Sequence, residues 1–154
     1  MSPKFMVLDG KTGEEYDRLS QVPVFSPTHG HLAYVARRAN KSFVVVDGRP
    51  GPEFEEIQDD VVPVLRNSGN LDVYEVHLPV FSPDGKHLAY AARSNWKWRL
   101  VLDGKDGPEH EGIDSAPIFS SDGKLVAYLA TGHTDLDYYN QLVVIDVASS
   151  GRRG

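Results

Sequence analysis

The sequence predicts an all-β fold made of repeated four-stranded units. A hairpin phrase occurs three times, as VFSPTHGHLAY, VFSPDGKHLAY and IFSSDGKLVAY at residues 24–34, 80–90 and 118–128. Its apolar runs have the length of strands and are too short for stable helices. Turn-forming residues separate these runs at intervals of about ten residues, which is the spacing expected of an all-β protein.

A second phrase, which contains Asp-Gly, sets the length of the repeat. Its aspartates are Asp9, Asp47 and Asp103, so the two intervals are 38 and 56 residues. The hairpin phrase recurs with the same two intervals in the opposite order. The unit is therefore about 38 residues long and is interrupted once by 18 additional residues. A four-stranded unit of this length is typical of the blades of a β-propeller.

Each unit is predicted to contain four strands, and the copy at residues 79–113 shows them best. PVFS is the first strand, HLAYAAR the second, WRLVLDG the third and PEHEGI the fourth. The Ser-Pro-Asp-Gly group after the first strand forms a turn, because Pro restricts φ and both Asp and Gly accept left-handed positions. We expect Gly85 and Gly123 to adopt backbone angles that are costly for other residues.

The phrase PVFSPDGKHLAYAAR, followed by WRLVLDG, resembles the WD-like propeller repeat of TolB-type proteins. That repeat has a Pro, an aromatic residue and Ser-Pro-Asp-Gly-Lys before an apolar strand, as residues 79–86 do here. The last copy has Ser121 in place of proline, and the first has Thr28 and His29 in place of Asp-Gly. The resemblance covers most of the chain and implies blades whose strands run from innermost to outermost. It implies no particular ligand, since such blades occur in partner-binding scaffolds and as domains attached to peptidases.

The repeat indicates how the chain is organised. The predicted arrangement is one domain at residues 1–150, with repeat units at about 5–43, 44–99 and 100–147 and a flexible tail at 148–154. The additional residues form an inserted hairpin at 60–77. This hairpin is either an inner hairpin that has lost its third and fourth strands or a protrusion between blades, and both interpretations stay open.

The chain carries about three to four blades, and only two of them are complete. It begins with third and outer strands at residues 4–19, and residues 117–130 supply inner and second strands near its end. A propeller has four to eight blades, and an open fan exposes apolar faces and free strand edges. We therefore expect a homo-oligomer, in the simplest case a dimer in which each chain completes the other's ring. A piece of a longer propeller and a compact four-bladed monomer are the alternatives.

The composition argues against nucleic-acid and membrane partners. Asp and Glu number 22 against 16 Lys and Arg, and the formal charge is −6, whereas phosphate binding requires clustered basic residues. No run of 18 apolar residues occurs, and the first residues lack a signal-peptide pattern. There is no cysteine, which excludes disulfides and thiolate metal sites. The compartment stays open between the cytoplasm and, for a trimmed chain, the periplasm or exterior.

No motif for catalysis or cofactor binding is present, so the sequence predicts a non-enzymatic protein without a cofactor. The G-x-S-x-G nucleophile elbow, the phosphate-binding loop and the dinucleotide fingerprint are all missing from the sequence. Ser26, Ser82 and Ser120 recur in turns and are interpreted as structural. His31 and His87 share one repeat position, where we favour simple turn polarity over a ring of ligands or pH-sensitive groups.

The phrase TGHTDLDYYNQ departs most from the repeat. Asp135 and Asp137 are weak candidates for calcium ligands. The loop lacks the Gly and the distal Glu of an EF-hand, so we favour a solvated loop and expect no tight metal site. His133, Tyr138 and Tyr139 make the same loop a candidate recognition surface, because aromatic anchors dominate the energetics of interfaces.

Two tryptophans form the second candidate surface. Trp96 and Trp98 flank Lys97, and strand alternation places both rings on one face. They are a candidate aromatic platform for a sugar or a peptide. We favour packing between blades, because Phe43 stands in the equivalent run of the first copy.

The repeats, the composition and the absence of catalytic motifs together predict a non-enzymatic β-propeller scaffold that self-assembles and binds a protein partner. One alternative is a propeller segment of a larger hydrolase or peptidase. The other is a propeller that binds a small ligand or a sugar, since a fold alone does not specify a function.

Overall fold

The computed structural model describes residues 3–20, 23–64 and 73–150, and this part of the chain is all-β apart from one helical turn. The first nine strands are β1 Lys4–Leu8, β2 Lys11–Tyr16, β3 Arg18–Leu19, β4 Val24–Phe25, β5 Leu32–Arg38, β6 Lys41–Val46, β7 Arg49–Pro50, β8 Glu56–Ile57 and β9 Asp60–Val64. The others are β10 Val73–His77, β11 Val80–Phe81, β12 Leu88–Ser94, β13 Lys97–Leu102, β14 Lys105–His110, β15 Gly112–Ile113, β16 Ile118–Phe119, β17 Leu125–His133 and β18 Tyr138–Asp146, followed by the helix α1 Val147–Ser150. The prediction of an all-β fold is confirmed.

Three antiparallel sheets share one strand plan, in which two short strands lie along the same side of one long strand. In the first sheet β3 and β4 both pair with the same side of β5, and β6 and β7 follow on its other side. The middle sheet has β8 and β11 beside β12, then β13 and β14. The C-terminal sheet has β15 and β16 beside β17, then β18. Each short pair therefore acts as one interrupted inner strand.

The predicted fourth strand, PEHEGI, is divided between two sheets. Lys105–His110 pairs with β13 at the outer edge of the middle sheet, whereas Gly112–Ile113 pairs with β17 of the C-terminal sheet. The chain therefore crosses to the next sheet at Glu111. The division follows from burial, because Ile113 is buried in the apolar layer between these two sheets.

Two-residue Asp-Gly turns join the third strand of a unit to its outer strand. Asp47 and Gly48 have φ angles of 50° and 80°, and Asp103 and Gly104 have 51° and 80°. Positive φ at both central residues is the mark of a type I′ turn, whose twist matches that of a β-hairpin. Asp tolerates the left-handed region and Gly occupies it without steric cost, so this dipeptide favours the hairpin locally.

Gly85 and Gly123 lie in the turn between the inner and second strands, with φ angles of 74° and 72°. The prediction that both adopt a backbone conformation costly for other residues is confirmed. The Ser82 hydroxyl donates to the Asp84 carboxylate at 2.5 Å and accepts from the His87 backbone N–H at 3.0 Å. The turns of the other two copies also use their serine hydroxyls in hydrogen bonds to the backbone. These contacts support a structural role for the three serines.

The inserted hairpin interrupts the inner strand of the middle sheet. The strands β9 and β10 pair with each other in a sheet of their own. Ile57 before the insertion pairs with Ala92 of β12, and Val80 after it pairs with Ala89 of the same strand. The pairing of β12 therefore continues on both sides of the insertion.

Two apolar layers hold the three sheets together. The first layer lies between the first and middle sheets and buries Ala33, Val35, Val44, Phe54, Ile57, Phe81, Leu88, Tyr90, Ala92 and Val101. The second lies between the middle and C-terminal sheets and buries Ala89, Ala91, Leu100, Leu102, Ile113, Val126, Tyr128, Ala130 and Val147. Burial of one large aliphatic or aromatic side chain stabilises a fold by roughly 1.5–3 kcal/mol, so these layers are the main source of stability.

The hairpin β1–β2 packs on the remaining face of the first sheet through Tyr16. This ring meets Phe43 edge-on with centroids 5.7 Å apart and Tyr34 with centroids 6.4 Å apart. Burial, reinforced by Tyr16, raises the pKa of Tyr34 to about 12.

Within the described ranges, no helix has the length and apolar character needed to cross a bilayer.

Candidate functional site

The outer face of the C-terminal sheet presents apolar residues at positions that are buried in the middle sheet. Ala127 pairs with Val144 as Ala89 pairs with Leu102, so the two sheets can be compared residue by residue. Val144 is 55% exposed whereas Leu102 is 6% exposed. We call this surface, formed by Ala127, Leu129, Leu142 and Val144, the C-terminal face.

Leu142 shows an even larger difference in exposure between the two sheets. It is 72% exposed, whereas Leu100, its counterpart in the middle sheet, is 1% exposed. The C-terminal sheet covers Leu100 within the second apolar layer. No described residue covers Leu142 in this way, which leaves Leu142 and Val144 exposed side by side on β18. Neighbouring exposed apolar residues of this kind are characteristic of an interaction surface.

The opposite end of the molecule carries a second exposed surface. Phe25 is 67% exposed, although its counterpart Phe81 is 8% exposed. A groove of 850 Å³ runs between the hairpin β1–β2 and the first sheet, lined by Phe5, Leu8, Tyr16, Phe25, Leu32 and Tyr34 among others. We call it the N-terminal groove. It exists because the hairpin provides only two strands and covers only part of a sheet that is twice as wide.

Trp96 does not lie in a strand, so the prediction that alternation places both tryptophans on one strand face is wrong for this residue. It occupies the turn before β13 with φ 64°, which is a strained region for a bulky side chain. Trp98 lies within β13 and is partly buried. The guanidinium carbon of Arg93 lies 5.3 Å from the Trp96 ring and 6.0 Å from the Trp98 ring. The structure therefore brings the two rings together around a cation.

The strands β17 and β18 extend further than expected and leave a tight turn in place of the predicted loop. The Thr134 N–H donates to the Asp137 carbonyl at 2.8 Å, and the Asp137 carboxylate accepts from the Tyr138 N–H at 2.8 Å. The Tyr139 ring lies over Gly132 of the neighbouring strand, where a Cβ would collide with it. Asp135 is exposed.

Two of the three predicted recognition residues, His133 and Tyr139, line a small polar cavity of 400 Å³. The third, Tyr138, is outside this lining, and its ring centroid lies 5.9 Å from that of His133. The Glu111 carboxylate pairs with Lys97, and the His133 Nδ1 lies 3.5 Å from its Oε1. The hydrogen bond from Lys97 is the main reason that the pKa of Glu111 lies below its usual value. Among the described residues, no group of three or more His, Cys, Asp or Glu side chains is arranged to hold a metal ion.

A pair of His–Asp contacts was missed by the sequence interpretation, which treated the histidines alone. The Nδ1 of His31 lies 2.6 Å from Asp47 Oδ2, and the Nδ1 of His87 lies 2.6 Å from Asp103 Oδ2. Asp47 also accepts from the Leu32 N–H at 2.9 Å, and this bond, followed by that with His31, holds the pKa of Asp47 below its usual value. In both copies the histidine precedes the aspartate by 16 residues, and this repeated spacing could have revealed the pairs in the sequence.

No family model, curated protein or solved structure matches this chain. The resemblance to the TolB-type repeat therefore rests on the residues of this sequence and stays a prediction.

Proposed function

We propose that the three sheets are blades of a β-propeller and that the chain is a non-enzymatic scaffold that self-assembles into a closed ring. One observation carries the proposal: Leu142 is 72% exposed although the equivalent Leu100 is 1% exposed. A strand plan that occurs three times places the same apolar face at the same position each time. Propeller blades bury such faces against the next blade.

A second copy of the chain is the occupant that we propose for the C-terminal face. Contacts between a sheet of this type and the preceding one already form twice within the chain. The C-terminal face supplies one half of such a contact. The hairpin β1–β2, with Phe5 and Val7 exposed, and the adjoining N-terminal groove supply the other half. Two copies related by a two-fold axis satisfy both halves twice and leave neither end open.

The exposed surfaces that remain on such a ring are available to a protein partner. Trp96 is exposed, and Tyr138 is exposed at the far end of the C-terminal sheet. Aromatic residues at exposed positions are the usual anchors of protein interfaces. We infer partner binding from these rings and self-assembly from the aliphatic faces.

Light scattering coupled to gel filtration tests the assembly. We expect a mass of about twice the 17.0 kDa of one chain, retained on dilution to low micromolar concentration because an interface of ordinary size supports such affinities. Leu142→Glu and Val7→Glu should each reduce the mass to that of one chain, since a carboxylate at a buried apolar contact is strongly unfavourable.

Leu136→Glu is the matched control. Leu136 is 95% exposed and lies in the turn before β18, outside both terminal surfaces. This variant should keep the mass of the unmodified protein. A single-chain mass for the unmodified protein at all concentrations would refute the proposal, and so would a mass that rises continuously with concentration, because an open filament is not a closed ring.

A further inference from the structure

A cleft of 460 Å³ opens between the first and middle sheets. Its floor is apolar and is formed by the buried side chains of Val44, Phe81, Leu88 and Tyr90. Sites for small molecules have volumes of about 300–1,000 Å³ and combine an apolar floor with a few fixed polar groups. The cleft has the size and the floor of such a site.

The fixed polar groups are the two His–Asp pairs, one from each sheet. His31 and Asp47 line the cleft from the first sheet, and His87 and Asp103 line it from the middle sheet. Each aspartate is held by its histidine and by a backbone N–H at 2.9 Å. Because Nδ1 is used by the aspartate, Nε2 is the ring nitrogen that a ligand can reach. Such second partners orient a side chain and prepare it for binding.

The fold does not require these pairs. The C-terminal sheet keeps the same serine turn, in which the Leu125 N–H donates to Ser120 Oγ at 2.9 Å, but Leu125 stands where His87 does. Ile145 stands where Asp103 does, by the same strand register. Near that turn, Val147 is buried in the second apolar layer. The His–Asp pairs and the cleft therefore occur together, and the sheet forms without them.

Two cationic side chains complete the rim. Arg49 and Lys86 line the cleft, and neither makes an ion pair within 4.0 Å with the described residues that carry a carboxylate. Asp47 and Asp103 balance their charge but already accept hydrogen bonds. The free donors at the rim thus belong to cations, which favours an anionic ligand group.

We propose that this cleft binds a small carboxylate with an apolar body. The carboxylate lies at the rim, where Arg49 and Lys86 can donate hydrogen bonds to it, and the apolar body lies on the floor formed by Phe81 and its neighbours. The proposal goes beyond the scaffold function and is independent of it, because both walls of the cleft belong to one chain.

Isothermal titration calorimetry with 3-phenylpropanoate as the probe tests the site, and 3-phenylpropanol serves as its uncharged analogue. We expect one carboxylate per chain, and at least about tenfold weaker binding of the alcohol, because hydrogen bonds to charged groups are the stronger ones. Lys86→Gln and Arg49→Gln should each weaken carboxylate binding by about tenfold for the same reason.

Lys124→Gln is the matched control, because Lys124 occupies the position of Lys86 in the turn of the C-terminal sheet and lies outside the cleft. It should leave binding unchanged. All three substituted side chains are exposed, so the variants should fold, and circular dichroism checks this. Equal binding of acid and alcohol would overturn the proposal. The proposal would also be overturned if about 10 mM acid gave no heat of binding, or if Lys86→Gln and Lys124→Gln weakened binding of the acid equally.

Discussion

At the scale of single residues, contacts between neighbouring turns connect the repeats. Gly85 lies against the turn of the first sheet, where a Cβ built on it would stand 2.7 Å from the Thr28 carbonyl oxygen. Gly123 lies against the turn of the middle sheet, where a Cβ would stand 3.6 Å from the Asp84 carboxylate. The two glycines share a backbone conformation but differ in the space available to a side chain.

Substitution of these glycines separates backbone strain from crowding. Gly123→Ala should lower the free energy of unfolding by about 1 kcal/mol, because a non-glycine residue at positive φ is strained. Gly85→Ala should cost about 2 kcal/mol or more, because the new methyl group also collides with Thr28. Urea denaturation measures both values. Equal losses in the two variants would show that the turns do not pack as described.

His110 gives the second residue-scale prediction. Burial lowers the pKa of His110 below its usual value of 6.5, and its Nε2 lies 2.8 Å from the Tyr128 hydroxyl. As the pH falls below 6.5, the unfolded chain takes up a proton that the folded chain does not. The free energy of unfolding therefore decreases until the pH reaches the folded pKa.

The variant His110→Gln should reduce this decrease between about pH 7 and pH 5, because it removes the titrating group. His133→Gln is the control at an exposed position on the neighbouring sheet. Urea denaturation at several pH values gives the comparison. If His110→Gln and the unmodified protein lose stability in parallel over this range, His110 is not the residue responsible.

At the scale of elements, the inner strand explains how the chain accepts an insertion. In the first and C-terminal sheets the two parts of this strand are five residues apart, from Leu19 to Val24 and from Ile113 to Ile118. In the middle sheet the corresponding distance, from Ile57 to Val80, is 23 residues. The difference is the 18 residues of the inserted hairpin. The gap in the inner strand is therefore a position where the sheet tolerates additional chain.

Deletion of residues 60–77 should restore the spacing of the other two sheets. We expect a folded protein with an unfolding free energy within about 1 kcal/mol of the original, since loop length contributes to stability only logarithmically. We also expect an unchanged oligomeric state, because the deletion spares both terminal surfaces. Circular dichroism, urea denaturation and light scattering measure these properties. An insoluble or unfolded product would show that the hairpin is required by the middle sheet.

At the scale of the whole molecule, two internal layers are buried and two terminal surfaces are open. The first and second apolar layers are formed by sheets of the same plan. The C-terminal face and the N-terminal groove lie beyond these two layers, and no described sheet fully covers them. Apolar surface of this extent is costly in water, at roughly 25 cal/mol for each Å² exposed. This cost is the physical reason for the proposed ring, and the masses of Leu142→Glu and Leu136→Glu test it.

The repeats in the sequence were sufficient to predict the all-β fold and the left-handed backbone of Gly85 and Gly123. These features depend on local chemistry: Asp47-Gly48 and Asp103-Gly104 join two strands and adopt the type I′ turn that this dipeptide favours there, and Gly85 is favoured where φ is 74°. The sequence also predicted incomplete units at residues 4–19 and 117–130. It could do so because a period of 38 residues can be counted without reference to the fold.

Only the tertiary structure decided which residues meet across the repeats. Gly112–Ile113 joins the C-terminal sheet because the buried Ile113 completes an apolar layer, and the strand pattern does not contain that information. Trp96 lies in a turn because the register of β12 and β13 ends at Ser94 and Lys97. The His–Asp pairs and the cleft between two sheets likewise depend on side chains far apart in the chain, whose approach is determined by packing rather than by local sequence.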